Sequence, residues 1–147
     1  MKKITLLLTL SLAVITCLAQ ETEIKAIRSP EAPKAIGPYS QAIMAGNTLY
    51  VSGAIALDPQ TGKMDTLNLE SEVKRIMSNL GAVLKEAGMD YSNVVKATIF
   101  TTDLKDYKQI NAIYGEYFKE RPPARETVQV VALPAGAHVE ISCIAVK

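Results

Sequence analysis

The stretch Pro122-Pro123-Ala124-Arg125-Glu126-Thr127 stands between a helical pattern and a strand-like pattern. Its two prolines fix φ and remove two backbone donors, so the preceding helix must end and the chain leaves it by a stiff route. The residues from Thr127 to Leu133 are rich in β-branched side chains, which predicts a short strand. Arg125 is therefore expected at the mouth of this strand, where its fork of donors can hold a carboxylate or a phosphate. The alternative is an ordinary surface ion pair.

The patterns on both sides of this stretch predict an α+β fold. Gly46-Asn47 is a two-residue turn signal, so residues 39–55 are expected to form a β-hairpin. Within it, Gly53 indicates either a bulge or a close approach of another group. The remaining predicted elements are a long helix from Leu69 to Ala87 ended by Gly88, a strand over 93–103, a helix over 107–118 and a strand over 138–146. The order is ββαβαββ, which predicts one mixed sheet covered on one face by two helices.

Side-chain alternation in the last strand separates two faces. Val139, Ile141 and Cys143 share the face expected to lie under the helices, and Glu140 points to the other. Cys143 is thus expected to be a small buried hydrophobe and not a nucleophile. Because Ile144 leaves the other face partly apolar, we expect that face to meet a second copy of the chain.

The N-terminus has the three parts of a secretory signal peptide: two lysines, a short apolar run and small residues before Gln20. We expect a signal peptide over 1–19, an extended lead-in over 20–34 and one domain over 35–147. The protein would then be periplasmic or extracellular. An uncleaved N-terminal anchor is the alternative, and lipidation of Cys17 stays open.

The composition argues against several classes of protein. Loss of Lys2 and Lys3 would take the formal net charge from +1 to −1. Nucleic acids and anionic membranes bind clustered basic surfaces, and none is visible here. With one histidine and, after cleavage, one cysteine, a zinc site is not expected.

Several spaced motifs resemble the RidA family, also called YjgF or L-PSP proteins. They occur in the family's order from about Ala32 to Lys147: Gly37-Pro38-Tyr39-Ser40-Gln41-Ala42, Val51-Ser52-Gly53, Val94-Val95-Lys96, Asp103-Leu104, Asn111 with Tyr114, Pro123-Ala124-Arg125 and Val139-Glu140-Ile141. The resemblance implies a chorismate-mutase-like α+β fold and a homotrimer with clefts between subunits. It also implies hydrolysis of reactive enamines and imines to 2-keto acids and ammonia, without a cofactor or a metal.

The resemblance also implies roles for individual residues. Arg125 would clamp the carboxylate of a 2-imino acid, and Glu140 would position water and transfer protons as the catalytic acid or base. The remaining residues implied to bind the substrate are Tyr39, Ser52, Gly53, Asn111 and Thr127.

Two departures from the family pattern bear on activity. Thr127 stands where imine deaminases of the family often have cysteine, and Glu126 adds a charge that strand alternation should point away from Arg125. Three functions are therefore carried forward. The first is a 2-iminobutanoate/2-iminopropanoate deaminase, the second a non-catalytic trimer that binds small carboxylates or other proteins, and the third an endoribonuclease.

Overall fold

The computed structural model describes residues 22–147 and shows one six-stranded sheet with two helices. The predicted signal peptide over 1–19 lies outside the described residues. The elements are β1 (Ile24–Ile27), β2 (Ala42–Ala45), β3 (Thr48–Ala54), α1 (Leu69–Glu86), β4 (Val94–Thr101), α2 (Tyr107–Gly115), β5 (Ala124–Gln129) and β6 (Val139–Val146). In the described part of the chain, no helix has the length and apolarity needed to cross a membrane.

The sheet is mixed, as the sequence predicted. Its strand order is β1-β2-β3-β6-β4-β5. All neighbours are antiparallel except β4 and β5, which run parallel with Ala97 opposite Arg125. A parallel pair needs a crossover, and α2 supplies it.

Two details of the sheet differ from the prediction. Residues 24–27, inside the predicted lead-in, form an edge strand whose Ile27 pairs with Ala42 of β2. In addition, β5 begins three residues and ends four residues earlier than predicted, at Ala124 and Gln129. Arg125 therefore lies within the strand and not at its mouth. Parallel pairing with β4 extends the strand back to the prolines, because Lys96 already pairs with Ala124.

Helix α1 follows the predicted stripe closely. Asn68 caps its N-terminus: its side chain accepts a hydrogen bond from the Ser71 N–H at 2.8 Å, and the Asn68 N–H donates to Ser71 Oγ at 3.2 Å. The helix ends before Gly88, whose φ of 67° belongs to the left-handed region. Its apolar stripe packs on the sheet and is buried, with Val73, Ile76, Leu80, Val83 and Leu84 in the core.

Strand β6 alternates between buried and half-buried residues along its whole length. The predicted face assignment is confirmed, because Val139, Ile141 and Cys143 belong to the core. Burial raises the pKa of the Cys143 thiol to about 12, so the thiol stays protonated at neutral pH and is a poor nucleophile.

A buried carboxylate holds the start of β6, a feature that the sequence did not reveal. Glu72 of α1 is 1% exposed. Its Oε1 accepts the backbone N–H groups of His138 at 2.7 Å and Val139 at 3.2 Å, and its Oε2 lies 2.9 Å from His138 Nδ1. These bonds tie α1 to β6 two residues before Glu140.

Candidate functional site

Arg125 is held in a cluster of aromatic and polar side chains at the edge of the sheet. Its Nη2 donates to Asn111 Oδ1 at 2.7 Å and lies 3.4 Å from the Tyr107 hydroxyl. The guanidinium carbon is 5.0 Å from the ring centroid of Tyr114 and 5.7 Å from that of Tyr107. Such stacking fixes the plane of the guanidinium and leaves its charge uncompensated. We call Tyr107, Asn111, Tyr114, Arg125 and Thr127 the arginine cluster.

Two hydroxyls of the arginine cluster are buried without a hydrogen-bond partner. They are the Tyr114 hydroxyl and Thr127 Oγ1. Thr127 is two residues from Arg125 in β5, so both side chains leave the same face of the strand. Asn111, Tyr114 and Arg125 also line one surface cavity. A buried hydroxyl without a partner costs free energy, so both hydroxyls would gain from a polar partner, and Tyr114 belongs to the lining of this cavity.

The two tyrosines of the cluster differ in their electrostatics. Tyr114 is 5% exposed, and its burial raises the pKa of the phenol to about 12. Tyr107 is 42% exposed, and its pKa is lowered by a hydrogen bond with Asn111 and by the charge of Arg125. Neither tyrosine was predicted from the sequence as a site residue, because each takes its place through the packing of α2 against β5.

Glu140 belongs to a second group centred on Gly53, which we call the glutamate group: Glu140 packs against Gly53, and Tyr39 and Ser52 line a cavity with Gly53. The Glu140 side chain lies over Gly53, where a Cβ would come within 2.7 Å of Glu140 Cδ. The sequence predicted that Gly53 marks either a bulge or the close approach of another group. The structure shows both: Glu140 approaches Gly53, and the β3–β6 register shifts between Val51 and Ala54. Partial burial raises the pKa of Glu140. A raised pKa suits a carboxyl group that must exchange protons near neutral pH.

The loop before β2 brings Tyr39 close to Ser52 and Gly53. Tyr39, Ser52 and Gly53 line one cavity. Gln41 fixes the loop, because its Oε1 accepts the Ser29 N–H at 2.7 Å and its Nε2 donates to the Pro33 carbonyl at 2.7 Å. Ser52 Oγ donates to the Ser40 carbonyl at 2.7 Å, which joins the loop to β3.

The arginine cluster and the glutamate group lie on opposite faces of the sheet. Arg125 points to the face covered by the helices, where it meets α2, whereas Glu140 alternates with the core residues of β6. The structure thus brings Arg125, Asn111 and Thr127 together, packs Glu140 against Gly53, and places Tyr39 and Ser52 with Gly53 around one cavity. It does not join the two sets within one protomer.

Glu126 points away from the arginine cluster, as strand alternation predicted. Its carboxylate is 3.0 Å from Lys96 Nζ and accepts a hydrogen bond from Thr98 Oγ1 at 2.8 Å on the uncovered face. These partners lower the pKa of Glu126. Its charge is therefore balanced locally and leaves Arg125 free to attract an anion. Within residues 22–147, no group of three or more His, Cys, Asp or Glu side chains is arranged to hold a metal ion.

The fold and the site are those of a small α+β protein. Comparison with known proteins identifies its family. The family model described as Endoribonuclease L-PSP matches residues 29–147. Protein DfrA of Myxococcus xanthus is 54% identical over 125 residues, which are 84% of this chain and 95% of that protein. The 2-iminobutanoate/2-iminopropanoate deaminase of Homo sapiens is 43% identical over 123 residues, which are 84% of this chain and 90% of the human protein.

A solved structure agrees with these matches. The crystal structure of E. coli TdcF with bound serine superposes with a TM-score of 0.80 at 36% identity, covering 84% of this chain and 98% of TdcF. The chain belongs to the RidA (YjgF/L-PSP) family, as its motifs predicted. Relatives named as deaminases place a hydrolytic deaminase activity within this family.

Proposed function

We propose that the protein hydrolyses 2-imino acids such as 2-iminobutanoate and 2-iminopropanoate to 2-keto acids and ammonia, without a cofactor. The observation that carries this proposal is the arginine cluster, in which Arg125 is positioned by Asn111 and two aromatic rings beside the orphan hydroxyl of Thr127. A planar guanidinium with a neighbouring hydroxyl donor suits the carboxylate that every 2-imino acid carries. The TdcF crystal contains serine, an amino acid with the same carboxylate, which supports this assignment.

The chemistry needs little beyond positioning and proton transfer. Water adds to the C=N carbon while the imine nitrogen gains a proton, and the resulting carbinolamine loses ammonia to leave the keto group. Glu140 would take the proton from water, for which a raised pKa makes its carboxylate a stronger base, and would then return the proton to nitrogen. Gly53 leaves the space that the carboxylate occupies. Thr127 in place of a cysteine is compatible with this mechanism, because neither proton transfer uses a thiol.

We also propose that the working site forms between protomers of a homotrimer. Arg125 and Glu140 leave opposite faces of the sheet, so one small substrate cannot contact both within a single chain. The uncovered face has apolar side chains without a partner in the described chain, among them Tyr50 and Val128 at 51% and 43% exposed. A second copy seated there would cover them and bring the Arg125 of one protomer to the Glu140 of the next. Light scattering tests this, and the mass of a monomer would refute it.

The activity is tested by following hydrolysis of 2-iminopropanoate generated in situ, with the wild type, Arg125→Ala and Glu140→Ala. We expect the wild type to accelerate the reaction and both variants to lose at least roughly a hundredfold in kcat/KM. Arg121→Ala is the matched control. Arg121 lies in the same segment but is exposed and donates to the Ser92 carbonyl.

The outcomes separate the functions carried forward from the sequence. A wild type that matches the uncatalysed rate but binds 2-oxobutanoate through Arg125 is a carboxylate-binding module. A wild type that does neither, but cleaves RNA at low salt, is an endoribonuclease. The sequence has no cluster of basic residues of the kind that binds RNA, which argues against this function.

We propose, from the N-terminal sequence alone, that the protein is exported and cleaved after Ala19. N-terminal sequencing of the protein from its native cells tests this. A cytosolic chain beginning at Met1 would refute it.

A further inference from the structure

We propose that Tyr107 is a further substrate-binding residue: its hydroxyl occupies the Arg125 hydrogen-bond position that a substrate carboxylate oxygen takes, and then donates its own hydrogen to that carboxylate. The inference rests on the proposed function, because it assigns a role within the same arginine cluster. It adds a residue that changes its hydrogen-bonding role between the free and the bound protein.

The first step of the argument is the geometry of the guanidinium. A carboxylate can bind it at two points in two ways, through Nη2 with Nε or through Nη2 with Nη1, so each way uses one of the two Nη2 hydrogens. Asn111 Oδ1 accepts one of them at 2.7 Å, a short and strong contact. Only one two-point arrangement stays open, and it uses the other Nη2 hydrogen.

The second step concerns Tyr107, whose hydroxyl is the second oxygen near Nη2 and also shares a hydrogen bond with Asn111. The Tyr107 oxygen lies 3.4 Å from Arg125 Nη2, which is long for a hydrogen bond between nitrogen and oxygen. A carboxylate oxygen at the ordinary charge-assisted distance would form a stronger bond and displace it. The phenol oxygen therefore keeps the position polar in the free protein without holding it tightly.

The third step is the change of role. A phenol can accept one hydrogen bond and donate another, whereas a carboxylate can only accept. Once displaced from Nη2, the Tyr107 hydroxyl can turn its hydrogen to the incoming carboxylate. Tyr107 is 42% exposed and Tyr114 is 5% exposed, so Tyr107 is the tyrosine of the cluster with freedom to turn.

The test is the binding of 2-oxobutanoate, the keto-acid product, measured by titration calorimetry on the full chain with and without Tyr107→Phe. Phenylalanine keeps the ring beside Arg125 and removes only the hydroxyl, so a purely structural role for the ring would leave affinity unchanged. We expect binding to weaken by roughly tenfold, the typical loss for one hydrogen bond to a charged group. In kinetics on the imine, KM should rise by a similar factor while kcat stays unchanged.

The control is Tyr117→Phe, in which a partly buried tyrosine outside the arginine cluster loses its hydroxyl. It should bind 2-oxobutanoate as the wild type does. Equal or tighter binding by Tyr107→Phe overturns the inference and leaves the proposed function standing. A wild type that accelerates imine hydrolysis but does not bind 2-oxobutanoate refutes this inference and leaves the proposed function standing, whereas a wild type that does neither refutes both.

Discussion

Gly53 and Glu140 are packed so closely that no side chain fits between them. A Cβ built on residue 53 would lie 2.7 Å from Glu140 Cδ and closer still to Oε1. The glycine stands where the β3–β6 register shifts, between Val51 and Ala54. The local break in pairing thus places the Glu140 carboxylate against bare backbone, where it is half-buried and its pKa is raised.

Replacing Gly53 by alanine should displace the Glu140 carboxylate while leaving the fold intact. The φ of Gly53 lies outside the left-handed region, so alanine adds no backbone strain there. We expect kcat for imine hydrolysis to fall by at least roughly tenfold, because proton transfer depends on position. Gly81→Ala is the control, since its Cβ would meet Tyr91 at 3.4 Å, an ordinary contact. Full activity in Gly53→Ala would show that Glu140 works from another position or not at all.

Asn111→Ala should weaken substrate binding more than the chemical step. It removes the 2.7 Å acceptor that orients Arg125 Nη2 and leaves the guanidinium charge in place. We expect KM to rise by about tenfold with a smaller change in kcat, as for the loss of one charge-assisted hydrogen bond. Gln109→Ala, at an exposed position of the same helix, should behave as the wild type. A loss confined to kcat would contradict a binding role for Asn111.

Glu140→Gln should make the protein more stable at neutral pH. Burial raises the pKa of Glu140 in the folded state, so the folded protein binds this proton more tightly than the unfolded chain. Its contribution to stability is therefore less favourable as pH rises from the unfolded pKa through the folded pKa. The neutral glutamine avoids the cost of a partly buried charge, so the melting temperature of Glu140→Gln should exceed that of the wild type at pH 7. The difference should shrink below about pH 4.3, the ordinary value for glutamate.

A melting temperature unchanged by Glu140→Gln at pH 7 would contradict the raised pKa. Glu126→Gln provides the opposite case, because the pKa of that carboxylate is lowered by Lys96 and Thr98. Its loss should not stabilise the protein.

Glu72→Ala should be strongly destabilising. The change leaves the buried N–H groups of His138 and Val139 without their acceptor and opens a cavity under α1. We expect a loss of roughly 3 kcal/mol or more in the free energy of unfolding, measured by urea denaturation. Glu72→Gln keeps an acceptor oxygen and should lose less. Glu70→Ala removes only an exposed pair with Lys74 and should change little, so similar losses at positions 70 and 72 would refute the assignment.

Local patterns in the sequence were sufficient to predict most of the helices and strands. The α1 stripe, its end at Gly88 and the turn at Gly46-Asn47 depend on neighbouring residues, and their predictions are confirmed. The faces of β5 and β6 follow from alternation alone, so Glu126 was correctly predicted to point away from Arg125 and Cys143 to be buried. The motifs between Gly37 and Ile141 were sufficient to identify the family.

Only the tertiary structure decided which side chains meet. Glu72 and His138 are 66 residues apart, and the hydrogen bonds between them form because α1 crosses the start of β6. The partners of Arg125 come from α2, whose placement depends on the parallel pairing of β4 and β5. The same pairing puts Arg125 inside an edge strand, and β1 forms only because β2 offers it an edge. Contacts of this kind join residues far apart in the chain, and periodicity within one segment does not encode them.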